Sequence, residues 1–277
     1  MPRSPTSLQA LLTLALIAFV PTGRGLASEI HSLSELAPPQ AVEALEQIPD
    51  PGRRLLALRS YLRTGSDLAA RWSWTEEEIE AFQGSDDQRA LLAEVAAIAD
   101  HFARANPGFE IYANTRVRSL DVQISNWNSN ESVGAAAAEI LSAAKEEFGS
   151  DDKSFADVDP DDLRAWLVGF TGKTWANIAA PGLTAHGQGH AIDFQVMKDG
   201  HIIAGADSGE IEQVWRAEKW DEKLKASIDA AGPSFHGPLA SPDEPWHYDY
   251  DPALPETEMT TVANGPILPR PRPPHQE

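Results

Sequence analysis

The sequence predicts an α+β protein: an antiparallel sheet that carries the functional groups, flanked by helices and preceded by a further helical segment. Three observations carry that expectation. Residues 38–106 are rich in Ala, Leu and Glu and hold repeated helix-start signals; residues 190–203 alternate and turn like a β-hairpin; and helical patterns lie on both sides of that hairpin.

Residues 1–27 read as a secretory signal, with Arg3 near the start, an apolar run from Leu11 to Val20 and a small-x-small site at Gly25-Leu26-Ala27. A bilayer crossing needs roughly 20 apolar residues and this run has about half of them. Cleavage after Ala27 is therefore expected, with no stable membrane insertion and a periplasmic or secreted product. The chain has no cysteine, so it carries neither a disulfide nor a lipid on an N-terminal cysteine.

Residues 28–94 are expected to form a helical accessory segment. Thr75 with Glu78 fits a capping box, and Ser85 with Gln88 fits another that opens a helix through Ala105, striped by Leu91, Leu92, Val95, Ala96 and Ile98. Trp72 and Trp74 read as buried anchors rather than as a sugar-stacking platform.

Residues 95–254 form the expected main domain. Phe109 to Asn114 reads as a strand, and Ser119 as the cap of a short helix carrying Gln123. An Ala-rich helix from about Gly134 to Phe148 follows, then an acidic loop and a helix opened by Asp159-Pro160. From His190 to Val196 the pattern puts His190, Ile192, Phe194 and Val196 on one strand face and Ala191, Asp193 and Gln195 on the other. Asp199-Gly200 is a two-residue hairpin turn returning the chain through His201 to Ile203. One helix from about Ile211 to Ala231, a Gly/Pro loop and an extended stretch from Glu244 to Tyr250 complete the domain. Residues 255–277 are Pro-rich and read as an extended tail.

With 42 acidic against 22 basic residues the formal charge is −20. That balance argues against nucleic acid and anionic membranes as partners, because both select basic surfaces. A small anionic substrate stays compatible, since one or two arginines can dominate the field inside a cleft.

Metal-binding side chains concentrate in two segments, Thr184 to Asp193 and Glu244 to His247. Two imidazoles and one carboxylate suit a catalytic zinc, which keeps three protein ligands and an open fourth position. His186, Asp193 and His247 are the expected ligands, for one zinc per chain. His186 and Asp193 are seven residues apart and would point to opposite faces of a straight strand, so a turn through Gly187 and Gly189 is required. Glu244 and His247 are brought together if Pro245 breaks the extended path between them, which makes Glu244 the candidate catalytic base.

These residues resemble the D-alanyl-D-alanine metallo-carboxypeptidase family, which shares a zinc fold with lysostaphin-type peptidases and the hedgehog signalling domain. The family pattern, S-x-H-x-x-G-x-A-x-D followed by E-x-W-H, is matched by His186, Gly189, Ala191, Asp193, Glu244, Trp246 and His247, with Thr184 in place of the serine. A family arginine in a G-Y-R-S-x-x-x-Q setting has its counterpart in Arg118-Ser119 running on to Gln123. The resemblance implies a zinc peptidase fold of the hedgehog kind and hydrolysis of peptidoglycan stem peptides. D,D- or L,D-carboxypeptidase action leads, ahead of endopeptidase action or of a wall-binding module that keeps the fold without catalysis. It also implies that Arg118 holds the substrate carbonyl and the developing oxyanion, and that Thr184 and Gln123 contribute to substrate binding. The helical segment before residue 95 has no counterpart in the pattern.

Overall fold

The computed structural model describes residues 36–149, 155 and 158–252, so the expected signal at 1–27 and tail at 255–277 lie outside the described residues. In chain order the helices are α1 Val42–Glu46, α2 Pro51–Thr64, α3 Leu68–Arg71, α4 Glu76–Phe82, α5 Asp86–Ala105, α6 Leu120–Ser129, α7 Glu131–Phe148, α8 Pro160–Gly169 and α9 Trp220–Ala231. The strands are β1 Glu110–Ala113, β2 Ala191–Lys198, β3 His201–Ala204, β4 Phe235–His236 and β5 His247–Tyr250. The described residues are thus α+β, as expected. None of their helices is long and apolar enough to cross a membrane.

Helix starts follow the local chemistry. Thr75 and Glu78 form a complete reciprocal capping box on α4. At α5, Ser85 accepts the Gln88 N–H, but the Gln88 side chain returns to the Gly84 N–H, one residue earlier than a full box requires. Asp159 accepts two N–H groups of α8, with Pro160 in the first turn. Ser119 stands at the start of α6 without making the side-chain cap expected of it.

Helix α2 organises the N-terminal half. Leu55, Ala57, Leu58 and Tyr61 are fully buried on it, and its arginines reach the carbonyl ends of three other helices. Arg54 donates to Leu45 and Ile48 at the end of α1, Arg53 to Trp127 and Asn130 at the end of α6, and Arg59 and Arg63 to Phe170 past α8. The last carbonyls of a helix lack partners within it and carry its negative dipole end, so guanidinium donors suit them.

Two cores result. One gathers α1 to α3 with α6 to α8 around Leu45, Leu55, Trp127, Ile140 and Leu167. The other packs α5 and α9 on the sheet around Phe102, Phe194, Trp215, Leu224 and Tyr248. The N-terminal helices therefore share a core with α6 to α8 instead of standing apart, and α5 runs through the boundary expected at residue 94. On α5 the buried stripe is Leu91, Ile98 and Phe102, spaced seven and four residues apart, while Leu92 is turned outward and is 42% exposed.

The sheet is antiparallel, in the order β1-β2-β5-β4, with β3 also paired to β2. The β2–β3 turn is the expected one, with Asp199 at φ 50° and Gly200 at φ 78°. Ile192, Phe194 and Val196 enter the core, whereas His190 precedes the strand and is exposed.

The single helix expected from Ile211 to Ala231 is not formed. A π-helical turn, Ile211–Arg216, is separated from α9 by Lys219, whose φ is +56°. Two tryptophans account for the break. In one continuous helix Trp215 and Trp220 would point about 140° apart, yet both are buried, Trp215 against Trp246 and Trp220 against Phe102 and Phe109. The turn at 217–219 between them lets both rings enter the same core.

Candidate metal centre

His186, Asp193 and His247 converge where the helical core meets the sheet. Asp193 and His247 are direct cross-strand partners in the β2–β5 ladder, which puts their side chains on one face at neighbour distance. His186 reaches the same point from a 3-10 turn, Ala185–Gln188, just ahead of β2.

The two glycines of this turn serve different ends. Gly189 ends the turn at φ +65°, a left-handed conformation that glycine adopts without strain. Gly187 is needed for space: a Cβ there would lie 2.0 Å from Ser73 Oγ. On the other side, Pro245 and Trp246 form a turn closed by the His247 N–H donating to the Glu244 carbonyl at 3.1 Å. That turn supplies the expected convergence of Glu244 and His247.

His186 Nε2 lies 3.3 Å from His247 Nδ1 and 3.3 Å from Asp193 Oδ2, and His247 Nδ1 lies 3.1 Å from Asp193 Oδ1. Four donors held tetrahedrally about 2.0–2.1 Å from an ion stand about 3.3 Å from one another. A ring nitrogen carries at most one hydrogen, and here each faces two possible partners at once. A cation at the centre satisfies all three groups together. Among the described residues this is the one group of His, Cys, Asp and Glu side chains able to hold a metal ion.

Glu244 Oε2 stands 3.6 Å from His247 Nδ1, beside the triad and outside it. Burial pushes its pKa up, with Asp193 adding to the rise while His247 and Arg118 oppose it. Arg118 places a guanidinium nitrogen 3.6 Å from Asp193 Oδ2, and its backbone N–H donates to the His186 carbonyl at 2.9 Å. Five of the seven residues singled out in the sequence thus meet at one point.

The other two have different positions. Gln123 is 5% exposed, and its side chain is used up inside the protein: it donates to Ser73 Oγ and the Arg118 carbonyl and accepts the Gly182 N–H. It therefore stands behind Arg118, with both ends of its amide engaged inside the protein. Thr184 starts the turn that carries His186, is half-buried, and accepts the Gly187 N–H on its carbonyl.

Three residues that the sequence did not single out belong to the surroundings. Asp249 Oδ1 lies 3.5 Å from His247 Nε2, so a carboxylate faces the ring nitrogen opposite the one that meets Asp193 and His186. Period-two alternation from His247 would have found it. Arg216 grips Asp243, next to Glu244, with contacts at 2.9 and 3.0 Å, and Trp215 packs on Trp246, so the π-helical turn braces the Glu244–His247 segment. Ser73 comes from the N-terminal half. Trp72 packs on Tyr61 and Trp74 on Phe82 and His190, so both make the aromatic contacts expected of anchors, but each is half-buried where full burial was expected.

Electrostatics link ion binding to protons. Burial opposes charge on His247, but bonds to Asp193 and Asp249 outweigh it and raise its pKa to about 9. Burial pushes Asp193 up, yet its bonds to His186 and His247 outweigh that and hold it well below the usual carboxylate range. An ion must displace the His247 proton. Metal affinity is therefore expected to rise with pH up to about 9, by at most about tenfold per unit, and titration with a chromophoric zinc competitor at pH 6, 7 and 8 measures the slope. A flat profile would contradict proton displacement.

Comparison with known protein families, with curated proteins and with solved structures found no match. What stands is an α+β protein with an antiparallel sheet and a His/Asp/His group able to hold a metal ion.

Proposed function

We propose that the protein is a zinc-dependent peptidase acting on peptidoglycan stem peptides, with a fold of the hedgehog and D-alanyl-D-alanine peptidase kind. The observation that carries this reading is the convergence of Glu244 and Arg118 on the His186, Asp193 and His247 group, each 3.6 Å from one of its atoms. A purely structural metal site is closed by its protein ligands. This one has three, beside a partly buried carboxylate and a guanidinium.

The donor set of two nitrogens and a carboxylate suits zinc, which when bound lowers the pKa of a water molecule and polarises a carbonyl. Glu244 accepts the proton of the attacking water and passes it to the leaving nitrogen as the C–N bond breaks. Its raised pKa suits both halves of that transfer. Arg118 faces the oxygen on which negative charge develops. No covalent enzyme intermediate is involved.

The match of the two motifs to the D-alanyl-D-alanine metallo-carboxypeptidase pattern supports stem peptides as substrate, and D,D- or L,D-carboxypeptidase action ahead of endopeptidase action. Such a substrate places the protein in the periplasm or outside the cell, in line with the signal expected at residues 1–27. The test is incubation of the mature protein with defined muropeptides, with and without chelator, and product identification by mass. Release of one terminal residue, abolished by chelator, is the expected result. Separated fragments would mean endopeptidase action. A zinc-loaded protein that releases nothing would overturn the enzymatic reading in favour of a binding module.

A further inference from the structure

The segment Ala70 to Trp74 crosses from the helical half of the chain to the turn that carries His186. The Ser73 N–H donates to the Gly182 carbonyl and the Trp74 N–H to the Gly187 carbonyl, both at 2.9 Å. Gln188 reaches back from the turn, its amide donating to the carbonyls of Ala70 at 3.0 Å and Trp72 at 2.9 Å. Ser73, 4% exposed, accepts from Gln123 Nε2 at 2.8 Å.

Followed residue by residue, these bonds close a ring. Gln123 also donates to the Arg118 carbonyl at 2.7 Å, Arg118 donates to the His186 carbonyl at 2.9 Å, and His186 is followed by Gly187, which is bonded to Trp74. Contact inside the ring is tight enough to exclude a side chain at Gly187, where a Cβ would lie 2.0 Å from Ser73 Oγ and 2.7 Å from Gln123 Nε2. His186 and Arg118 thus share one frame, and Ser73 is the part of it supplied from the N-terminal half of the chain, 50 residues before Gln123.

We propose that the Ala70–Trp74 crossing is an integral part of the metal site and that Ser73 is a positioning residue for His186 and Arg118. A metal ligand is effective only when its direction is held by what lies behind it, and loss of such support typically costs about 10- to 100-fold in affinity. Here the support acts on the backbone on either side of the imidazole. The N-terminal helices, anchored in the core by α2, are what keep the crossing in place. This inference rests on the metal-binding part of the reading above and not on peptidase activity.

The test uses the full mature protein and three variants, Ser73→Ala, Gly187→Ala and the double. Hydrogen exchange of residues 182–190 is followed by mass spectrometry in metal-free protein, and the rate at which a chelator strips zinc is followed in loaded protein. Each single variant is expected to exchange about tenfold faster in that segment, the effect of losing about one hydrogen bond, with α2 unchanged. Each is also expected to release zinc at least about tenfold faster. The double variant is expected to be no worse than the worse single, because both changes break the same contact. Unchanged exchange in both single variants, acceleration spread over the whole chain, or fully additive effects in the double would overturn the proposal. If Ser73→Ala does not fold, Gly187→Ala gives the same reading from the other side of the contact. A wild-type protein that holds no zinc would overturn the metal-binding reading, and the exchange measurement would still decide separately whether Ser73 positions the His186 turn.

Discussion

Glu244→Gln is expected to keep one zinc per chain and to lose about 10²- to 10⁴-fold of turnover on a susceptible muropeptide. The substitution preserves shape but removes the charge and the ability to take a proton. Glu244 lies beside the triad at 3.6 Å from His247 and is no part of the three-residue group, so metal content should not change. Parallel metal analysis and steady-state kinetics separate the two effects. Wild-type kcat/KM is also expected to fall as pH drops through the Glu244 pKa, which burial has raised above the usual carboxylate value. Turnover within a few-fold of wild type in the glutamine variant would rule out Glu244 as the base.

Asp193→Ala is expected to have the widest effect: metal affinity reduced by more than about 100-fold, beyond what a supporting residue alone accounts for, and hydrolysis lost with it. Asp193 faces both imidazoles and also meets Arg118, so its removal takes away one candidate ligand and the charge next to three neighbours. The metal-free protein should report the same change through its stability. The raised pKa of His247 stabilises the fold fully below its ordinary value near 6.5, and that contribution is lost as pH rises through about 9. The depressed pKa of Asp193 contributes above its ordinary value near 4 and is lost as pH falls further. Without metal, the melting temperature of Asp193→Ala should therefore fall furthest below wild type between about pH 5 and 6 and approach it above about pH 9. A constant difference across that range would mean that the His247–Asp193 pair is not the coupled unit described here.

Local chemistry made much of the molecule legible. Thr75, Ser85 and Asp159 marked helix starts because a cap and its targets lie within three residues of each other. Asp199-Gly200 marked the hairpin because a two-residue turn of this kind needs positive φ at both positions. The candidate ligand set was visible because imidazole and carboxylate groups crowd two short stretches. Where the reading failed, two distant requirements competed. The helix expected from Ile211 to Ala231 breaks because burial of both Trp215 and Trp220 outweighs helical continuity. Leu92 reads as core by composition and is turned outward by the stripe that Leu91, Ile98 and Phe102 define.

The sequence by itself determined the α+β class, the β2–β3 hairpin and the three candidate ligands, because caps, turns and alternation are set by neighbours a few residues apart. Only the tertiary structure decided that Asp193 and His247 stand opposite each other in register, that Gln123 is a buried support, and that Ser73 closes the frame around His186. Those facts depend on which distant segments pair once two hydrophobic cores have formed. A pairing of that kind leaves no periodic trace in either strand of sequence that makes it.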